Sequence, residues 1–307
     1  MMPIISICIP TYNRAKYLRN TLDSIVRQDD FGKIQIIISD NCSTDDTFDV
    51  AAGYVERFPL NIRYRRNDKN INDANFVKAL SLGDGCFLKL HNDTAILKDG
   101  ALRKMISAVI SGRAQGYTPF FMNGNGNSEG LIENLGDFID RTKYWNTWIG
   151  AFGIWKKDFE FVRKIMIEKS DTKLAQSWAW FSLVSKGLPV FVDNEILFDV
   201  AVVSKKGGYN VAQVFGMNYN HILEHFYLLG SLPISIHKTA KRDILDFVNK
   251  YYFDVRDRFS FEKSGYFKWM LPVYWRNYYF YIKLIGVFNS LLKSRMRMFC
   301  NCFDSIG

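Results

Sequence analysis

The sequence predicts an α/β fold in which a mainly parallel β-sheet is flanked by helices. The first observation is the run IQIIISD over residues 34–40, because a nearly continuous β-branched run is typical of a strand that is buried on both faces. The second is that short apolar runs alternate with segments of helical periodicity through the first third of the chain. The third is that polar, turn-forming residues follow these runs directly, as they do at the ligand-binding edge of open α/β sheets.

The individual elements follow in order from this pattern. The predicted strands cover residues 4–9, 34–39, 61–65 and 86–90. The predicted helices cover residues 15–28, 44–57, 75–82 and 100–111, where apolar residues recur at helical spacing. Ser43 and Asp46 have the spacing of a capping box for the second of these helices. Strands and helices that alternate at these distances predict parallel strands joined by crossover helices.

The regular alternation ends after residue 116. The segment NGNGNSEG over residues 123–130 predicts a flexible loop or a hairpin. Helices are expected over residues 158–168 and 174–185, a strand over 188–192, and mainly helix beyond about residue 218. We therefore predict an α/β domain over residues 1–215 and a helical C-terminal region over residues 216–307.

Composition and charge limit the class of protein. The 307 residues carry a formal net charge of +9, which favours anionic partners such as nucleotide phosphates, anionic lipid or nucleic acid. None of the five cysteines forms a CxxC pair, which argues against a disulfide framework or a zinc site and fits a reducing cytosol. Neither a signal peptide nor an apolar run of about 18 residues is recognised, so no transmembrane helix is expected.

Polar residues follow three of the predicted strands: PTYNR at 10–14, DN at 40–41 and HNDT at 91–94. Right-handed crossovers would bring these three strand tips to one edge of the sheet. Asp93 offers a hard oxygen ligand for Mg²⁺ or Mn²⁺, and His91 could join it. The alternative interpretation is that Asp93 only forms a turn. Because GxGxxG, GxxxxGK[ST] and GxSxG motifs are absent, a nucleotide here would need side-chain contacts to its base and a metal on its diphosphate.

Four segments together resemble the family 2 glycosyltransferases of the GT-A fold. They are ISICIPTYNR, YLRNTLDSIVRQ, IQIIISDNCSTDDT and NDANFVKALSLGDGCFLKLHNDTAIL, within residues 4–113. The resemblance implies a Rossmann-like GT-A domain and the transfer of a sugar from a nucleotide-sugar to an acceptor hydroxyl, usually with inversion. It also implies a glycan or lipid-linked glycan acceptor in the synthesis of a cell-surface polysaccharide such as lipopolysaccharide or capsule.

The resemblance also implies which residues bind the nucleotide-sugar. In chain order these are Pro10, Thr11, Tyr12, Arg14, Asp40, Asn75, Lys78, Asn92 and Asp93. The first three would lie near the base and the fourth near the ribose or a phosphate, while Asn75 and Lys78 would lie beside the nucleotide. Asp40 would accept the imide hydrogen of the base, which favours a UDP-sugar. Asp93 would be the last carboxylate of the metal-binding DxD motif, with Mn²⁺ or Mg²⁺ as the cofactor.

Two positions depart from the family pattern. The DxD motif falls on residues 91–93, so its first acid is missing. The acidic pair that supplies the general base in many members falls on residues 175–176, Ala and Gln, and neither can take a proton. Asp171 is the nearest acid upstream and is our candidate general base, with a helix-capping role as the alternative.

Aromatic residues supply two further predictions. Trp145 and Trp148 could stack on acceptor sugars, although ordinary core packing is an equal alternative. The segment 263–299 interleaves basic and aromatic residues and contains no acid. It could dock on an anionic membrane surface, bind nucleic acid or form a helical cap, and we favour the membrane over nucleic acid. The C-terminal helices could also hold an oligomer together.

We therefore expect a cytoplasmic, metal-assisted, hexosyltransferase-type enzyme that is peripheral on the inner face of the cell membrane. A GT-A protein that binds a nucleotide or a carbohydrate without catalysis is the alternative, because two acids are missing. A sugar nucleotidyltransferase is disfavoured, since PTYNR lacks a glycine-rich basic loop. The sequence specifies neither the donor sugar nor the acceptor nor the linkage.

Overall fold

The computed structural model describes residues 2–126, 128–201, 208–253, 261–287 and 289. The strands are β1 (Ile5–Thr11), β2 (Ile34–Asp40), β3 (Ile62–Arg66), β4 (Phe87–Leu90), β5 (Ala95–Leu97), β6 (Thr118–Phe121), β7 (Gly130–Ile132), β8 (Gly153–Trp155), β9 (Val190–Asp193) and β10 (Phe198–Val200). The α-helices are α1 (Ala15–Val26), α2 (Thr47–Arg57), α3 (Ala74–Ser81), α4 (Ala101–Gln115), α5 (Leu135–Thr142), α6 (Lys156–Glu168), α7 (Ala175–Val184), α8 (Asn220–Leu228), α9 (Ile234–Tyr252) and α10 (Tyr266–Tyr274).

The main sheet has five strands in the order β3-β2-β1-β4-β8. The first four run parallel, and β8 pairs with β4 in the antiparallel direction. This confirms the mainly parallel sheet that the sequence predicts. Every residue of β1, β2 and β4 is buried, as expected for strands that helices cover on both faces.

The core of this sheet comes from β-branched residues on the strands and from one face of each flanking helix. Ile7, Ile36 and Ile38 are completely buried, and Leu18 and Leu22 of α1 pack into the same cluster. Each such side chain contributes about 1.5–3 kcal/mol by leaving water. The strands that carry the polar tips are therefore rigidly held.

The structure corrects the predicted start of one helix and its capping box. Helix α2 begins at Thr47 rather than at residue 44, and its N-cap residue Asp46 makes no side-chain capping hydrogen bond. The predicted capping box is wrong because the hydroxyl of Ser43 instead accepts the N–H of Asn13, at 2.9 Å, from the neighbouring strand tip. Of the two alternatives predicted for residues 123–130, the strand pairing excludes a β6–β7 hairpin, since each of these strands pairs with β9.

Contacts within the chain define two compact units. The first comprises Met1–Val203 and Phe226–Ile236 and contains the sheets. The second comprises Ser204–His225 and His237–Gly307, and its described residues are mainly helical. The boundary that the sequence predicts, between residues 215 and 216, stays a prediction. Within the described residues, no helix is both long enough and apolar enough to cross a membrane.

Candidate active site

The carboxyl ends of β1, β2 and β4 meet at one edge of the main sheet. Thr11 pairs with Asp40 in the register of β1 and β2. The hydroxyl of Thr11 donates a hydrogen bond to Oδ2 of Asp93 at 2.9 Å. Arg14 places Nη1 3.3 Å from Oδ1 of the same carboxylate. The three polar tips therefore lie together, as chain order and right-handed crossovers lead one to expect.

Asp93 is held by contacts to both its carboxylate and its backbone. Its side chain is only 8% exposed, and its backbone carbonyl accepts the hydroxyl of Thr21 at 3.0 Å. Burial raises the pKa of the carboxyl above its usual value, while Arg14 and Thr11 act in the opposite direction. A cation bound next to Asp93 would therefore stabilise the ionised form of this carboxylate.

Asp40 joins the tips of β2 and β3 from a fully buried position. Oδ1 accepts the N–H of Ser43 at 2.9 Å, and Oδ2 accepts the hydroxyl of Tyr64 at 2.6 Å. Nε of Arg66 lies 3.8 Å from Oδ2. Burial and the hydrogen bond to Asp40 raise the pKa of Tyr64. Contact between Asp40 and a nucleotide base stays a prediction, and it requires the base to reach a carboxylate with no exposed surface.

Asparagine side chains shape the loop between β3 and α3. Asn75 is buried, and its Oδ1 accepts hydrogen bonds from Ser39 Oγ at 2.7 Å and from Asn67 Nδ2 at 2.9 Å. Its Nδ2 donates to the carbonyl of Ser39 at 2.8 Å. Asn41 in turn accepts the N–H of Ile71 at 2.8 Å. Asn75 thus supports the strand tip from inside, and its predicted position beside a nucleotide stays a prediction.

Sequence reasoning named Asn41 in a strand tip but missed Asn67, which donates from Nδ2 to Oδ1 of Asn75 at 2.9 Å. The signal available was the run RNDKNINDAN over residues 66–75, which is dense in residues that bond to nearby backbone. Lys78 lies on α3, three residues after Asn75, and its side chain is exposed. The contact of Lys78 with a nucleotide also stays a prediction.

The tips of β1 and β2 are joined by their own polar groups. Asn13 has a left-handed φ of 51°, which asparagine tolerates better than most residues. Its Oδ1 accepts the N–H of Thr44 at 2.7 Å, and Asp45 Oδ2 accepts the N–H of Ala15 at 3.1 Å. Pro10 is buried beneath this turn, whereas Tyr12 is 43% exposed. An exposed ring beside the strand tips suits stacking on a planar base.

The HNDT segment places its side chains in different environments. His91 is buried, with Nε2 3.0 Å from the carbonyl oxygen of Ala95 and its ring against Phe198. Burial, with a contribution from Lys89, lowers the pKa of His91 to about 3, so the ring is neutral near pH 7. Asn92 Oδ1 is buried and has no hydrogen-bond partner among the described residues.

These donors decide how well the site fits a metal. In the part of the chain that the structure describes, no three His, Cys, Asp or Glu side chains are grouped to hold a metal ion. The Asp93 carboxylate and the unpaired Asn92 oxygen are nevertheless the hard ligands that Mg²⁺ and Mn²⁺ prefer. They fit a cation that a diphosphate and water would also coordinate. His91 as a ligand stays a prediction, since Nε2 already contacts a backbone carbonyl.

The predicted acceptor residues lie in the turns before β8. Trp145 and Trp148 are half-buried, with ring centroids 5.9 Å apart, and Trp148 lies 5.3 Å from Phe198. Gln176, at the start of α7, donates from Nε2 to the carbonyl of Thr147 in the same turns. Gln176 thus braces this segment from the position where the family pattern leads one to expect an acid.

Two carboxylates remain as candidates for the general base. Asp171 is exposed in the short 3₁₀ turn Ser170–Thr172. Lys173, which follows that turn, places Nζ 3.4 Å from Oδ1 of Asp73. Asp73 is the N-cap residue of α3, and burial raises the pKa of its carboxyl. Sequence reasoning missed Asp73, because only the folded chain brings it next to the turn that contains Asp171.

Lys89 is a second residue that sequence reasoning missed. It is 1% exposed in β4, and Nζ donates to the carbonyls of Leu90, at 2.7 Å, and of Gly150. Burial lowers the pKa of its ammonium group to about 7. This hydrogen-bond pair connects the carboxyl end of β4 to the turn that follows Trp148. A lysine inside the apolar run FLKL was the available signal.

Comparison with known proteins is consistent with this geometry. The family model described as Glycosyl transferase family 2 matches residues 6–165, just over half of the chain. A stretch of 100 residues is 44% identical to the abequosyltransferase RfbV of Salmonella typhimurium, covering 31% of this chain and 30% of that protein. A stretch of 124 residues is 32% identical to the GalNAc(5)-diNAcBac-PP-undecaprenol beta-1,3-glucosyltransferase of Campylobacter jejuni, covering 40% and 38%. The chain thus matches about a third of the length of these curated relatives.

Solved structures share the fold at low sequence identity. S. aureus TarS 1-349 in complex with UDP superposes with a TM-score of 0.58 and 15% identity, over 82% of this chain and 72% of that one. The mannosyltransferase PcManGT from Pyrobaculum calidifontis, in complex with GDP-Man and Mn²⁺, gives a TM-score of 0.53 and 15% identity, over 81% and 70%. The GT-A fold that the sequence predicts is therefore confirmed, and the chain belongs to glycosyl transferase family 2.

Proposed function

We propose that this protein transfers a sugar from a UDP-sugar to a hydroxyl of a glycan or lipid-linked glycan, with inversion and with the assistance of Mn²⁺ or Mg²⁺. The proposed setting is the synthesis of a cell-surface polysaccharide such as lipopolysaccharide or capsule. One observation carries the proposal: Thr11 and Arg14, from one strand tip, hold the Asp93 carboxylate of another at the edge where a GT-A sheet binds its donor.

The comparisons support the choice of substrates. Solved structures of similar fold were obtained with UDP, with UDP-GlcNAc and with GDP-Man plus Mn²⁺. One curated relative is named for an undecaprenol-linked acceptor, and another is an abequosyltransferase. Those ligands and acceptors belong to the named proteins, and we extend to this chain only their chemical classes, a nucleotide-sugar and a lipid-linked glycan.

Each named residue has a defined task in this proposal. Tyr12 would stack on the base, and Lys78 would approach the phosphates from α3. Asp93 and Asn92 would hold the cation, and Arg14 would orient the Asp93 carboxylate. A divalent cation, when bound there, supplies positive charge to the leaving diphosphate. Trp148 and its neighbour Trp145 would face the acceptor sugar.

The acceptor hydroxyl must lose a proton as it attacks the anomeric carbon. Asp171 is the proposed general base, because it is an exposed carboxylate in the turn just before α7. Asp73 is the second candidate, since Lys173 connects it to the same turn. The raised pKa of Asp73 makes it a stronger proton acceptor than an ordinary aspartate, provided that it is ionised.

A second function is favoured by one observation. Gln176 occupies the position of the expected acid, and its amide is bonded to the backbone of the acceptor segment. This arrangement suits a GT-A protein that binds a nucleotide or a carbohydrate without catalysing transfer. Such a protein would need Thr11, Arg14 and Asp93 for binding alone.

The two functions separate in one experiment. The purified protein is incubated with Mn²⁺, a panel of UDP-, GDP-, CDP- and dTDP-sugars, and undecaprenyl-diphosphate-linked glycans, and the release of nucleoside diphosphate is measured. Acceptor-dependent release, greatest with a UDP-sugar, is the expected result. Calorimetric binding of UDP without release from any donor would instead establish the binding protein.

The proposal also gives a cellular location and an assembly state. A lipid-linked acceptor would place the protein in the cytoplasm, peripheral on the inner face of the cell membrane. Contacts between C-terminal helices of two copies, made outside residues 266–287, remain part of the proposal. Light scattering after size-exclusion chromatography tests that association directly, because a monomeric mass over a wide concentration range would contradict it.

A further inference from the structure

The helices of the second unit expose large apolar side chains to solvent. On α10, its C-cap residue and the helical segment 278–287, six of them recur every three or four residues and are between 37% and 79% exposed. They are Phe267, Leu271, Trp275, Tyr278, Ile282 and Ile285. We call this set the C-terminal aromatic surface. Exposed apolar groups at such density mark an interaction site.

The opposite side of the same two helices forms the core of the unit. Tyr266, Tyr274 and Phe280 are each at most 5% exposed, and the last two rings stack with centroids 5.8 Å apart. The hydroxyl of Tyr281, on the outer side, donates to the carbonyl of Trp275 at 2.8 Å. The two helices therefore share a buried face and an outer face, and the exposed side chains belong to the outer one.

The segment that carries this surface has basic residues and no acid of its own. Residues 263–289 contain Lys263, Lys268, Arg276 and Lys283 and no Asp or Glu. Nζ of Lys283 pairs with Oδ1 of Asp246 on α9 at 3.0 Å, so Lys268 and Arg276 carry the charge argument. The guanidinium of Arg276 lies 4.3 Å from the ring centroid of Trp275, and Nζ of Lys268 lies 4.5 Å from that of Trp269. Cations that lie along aromatic rings can remain at the level of phosphate groups while the rings enter a more apolar layer.

This combination distinguishes among three partners. A second copy of the chain would bring Lys268 and Arg276 of both copies together, and residues 263–289 contain no acid to pair with them. A nucleic acid would match the basic charge but would leave the aliphatic side chains Leu271, Ile282 and Ile285 without an apolar partner. An anionic lipid leaflet matches both features, because acyl chains accept the aliphatic groups and headgroups pair with the cations.

We propose that the C-terminal aromatic surface docks on the interface of an anionic phospholipid bilayer, with the two helices lying in the plane of the membrane. It would retain the transferase where lipid-linked acceptors reside, a consequence that rests on the proposed function. The docking itself follows from exposure, charge and side-chain type alone.

Flotation with lipid vesicles tests the docking. The full-length protein is mixed with vesicles of phosphatidylethanolamine and phosphatidylglycerol, or of phosphatidylcholine alone, and the bound fraction is measured. We expect binding to the anionic vesicles that weakens in high salt, and at least about tenfold weaker partitioning after the double change Ile282→Ser and Ile285→Ser. The matched control changes Leu60→Ser and Ile167→Ser, which are 94% and 50% exposed in the first unit.

The outcomes separate the inference from the proposed function. The control double variant should bind vesicles as the wild type does, and both double variants should keep the unfolding temperature and the rate with a soluble acceptor. Equal flotation of wild type and the Ile282/Ile285 variant, or absence of flotation, would overturn the docking. So would a dimer that this variant abolishes while vesicles remain unbound. A protein that floats but transfers no sugar would leave the docking intact and contradict only the proposed function.

Discussion

Replacing Asp93 by Asn should separate catalysis from stability. The substitution keeps the size of the side chain and removes the negative charge that Arg14 contacts at 3.3 Å. If that charge holds the cation on the donor diphosphate, its loss should lower kcat roughly 10²–10³-fold, about 2.7–4 kcal/mol, as removal of a preorganised electrostatic group does elsewhere.

The expected effect of the same change on stability is small, and its sign follows from the pKa. Burial raises the folded-state pKa of Asp93 above the unfolded value of about 3.9. At neutral pH the ionised carboxylate therefore opposes folding, and stability recovers as the pH falls from the folded pKa towards about 3.9. Asn removes that cost while it can still accept one hydrogen bond, so the Tm of Asp93→Asn should lie within about 3 °C of the wild type or above it.

The assay measures nucleoside diphosphate release at saturating donor and Mn²⁺, together with Tm by calorimetry. Asp99→Asn is the matched control, because its side chain is 94% exposed six residues further along the chain. The control should retain full activity. If Asp93→Asn kept more than about a third of the activity, or if activity and Tm fell together, the charge would have no separate catalytic role and the reasoning would fail.

Three further predictions test other residues. Tyr64→Phe removes the hydroxyl that donates to buried Asp40 and should lower the free energy of unfolding by about 1–3 kcal/mol, so an unchanged denaturation midpoint would count against that role. Lys89 has a folded pKa of about 7, below the unfolded value of about 10.4, so stability should rise between these pH values as the unfolded state alone stays protonated. The increase in Tm from pH 7 to pH 9 should be smaller in Lys89→Met than in the wild type. An equal increase in both proteins would contradict the lowered pKa of Lys89. Asp171→Asn should lower kcat about 10²–10⁴-fold in steady-state kinetics, with little change in the KM for the donor. If only Asp73→Asn causes that loss, then Asp73 and not Asp171 is the general base.

Much of the first unit was predictable because its signals are local. A strand that helices cover on both faces must be apolar throughout, and β2 shows this in the run IQIIISD. Strand β8 was not predictable, because three residues carry no periodicity and only pairing with β4 defines them. The start of α2 was misplaced for a related reason, since the Ser43 hydroxyl contacts Asn13, 30 residues away, instead of capping its own helix.

The candidate site was also predictable only in part. Chain order and crossover handedness were enough to bring Thr11, Asp40 and Asp93 to one edge, because these rules depend on topology alone. The partners of each side chain were not visible. The contact between Thr11 and Asp93 spans 82 positions, and the contact of Lys89 with Gly150 spans 61.

By itself the sequence determined the mainly parallel sheet, the convergence of three polar strand tips at one of its edges, and membership of a transferase family. Each of these is encoded in periodicity and in short motifs, which report how neighbouring residues are buried. Only the tertiary structure decided that Asp40 is enclosed by Tyr64, that Asp73 joins Lys173, and that Lys89 is buried among backbone carbonyls. Such pairings depend on which distant segments pack together, and no local pattern records that choice.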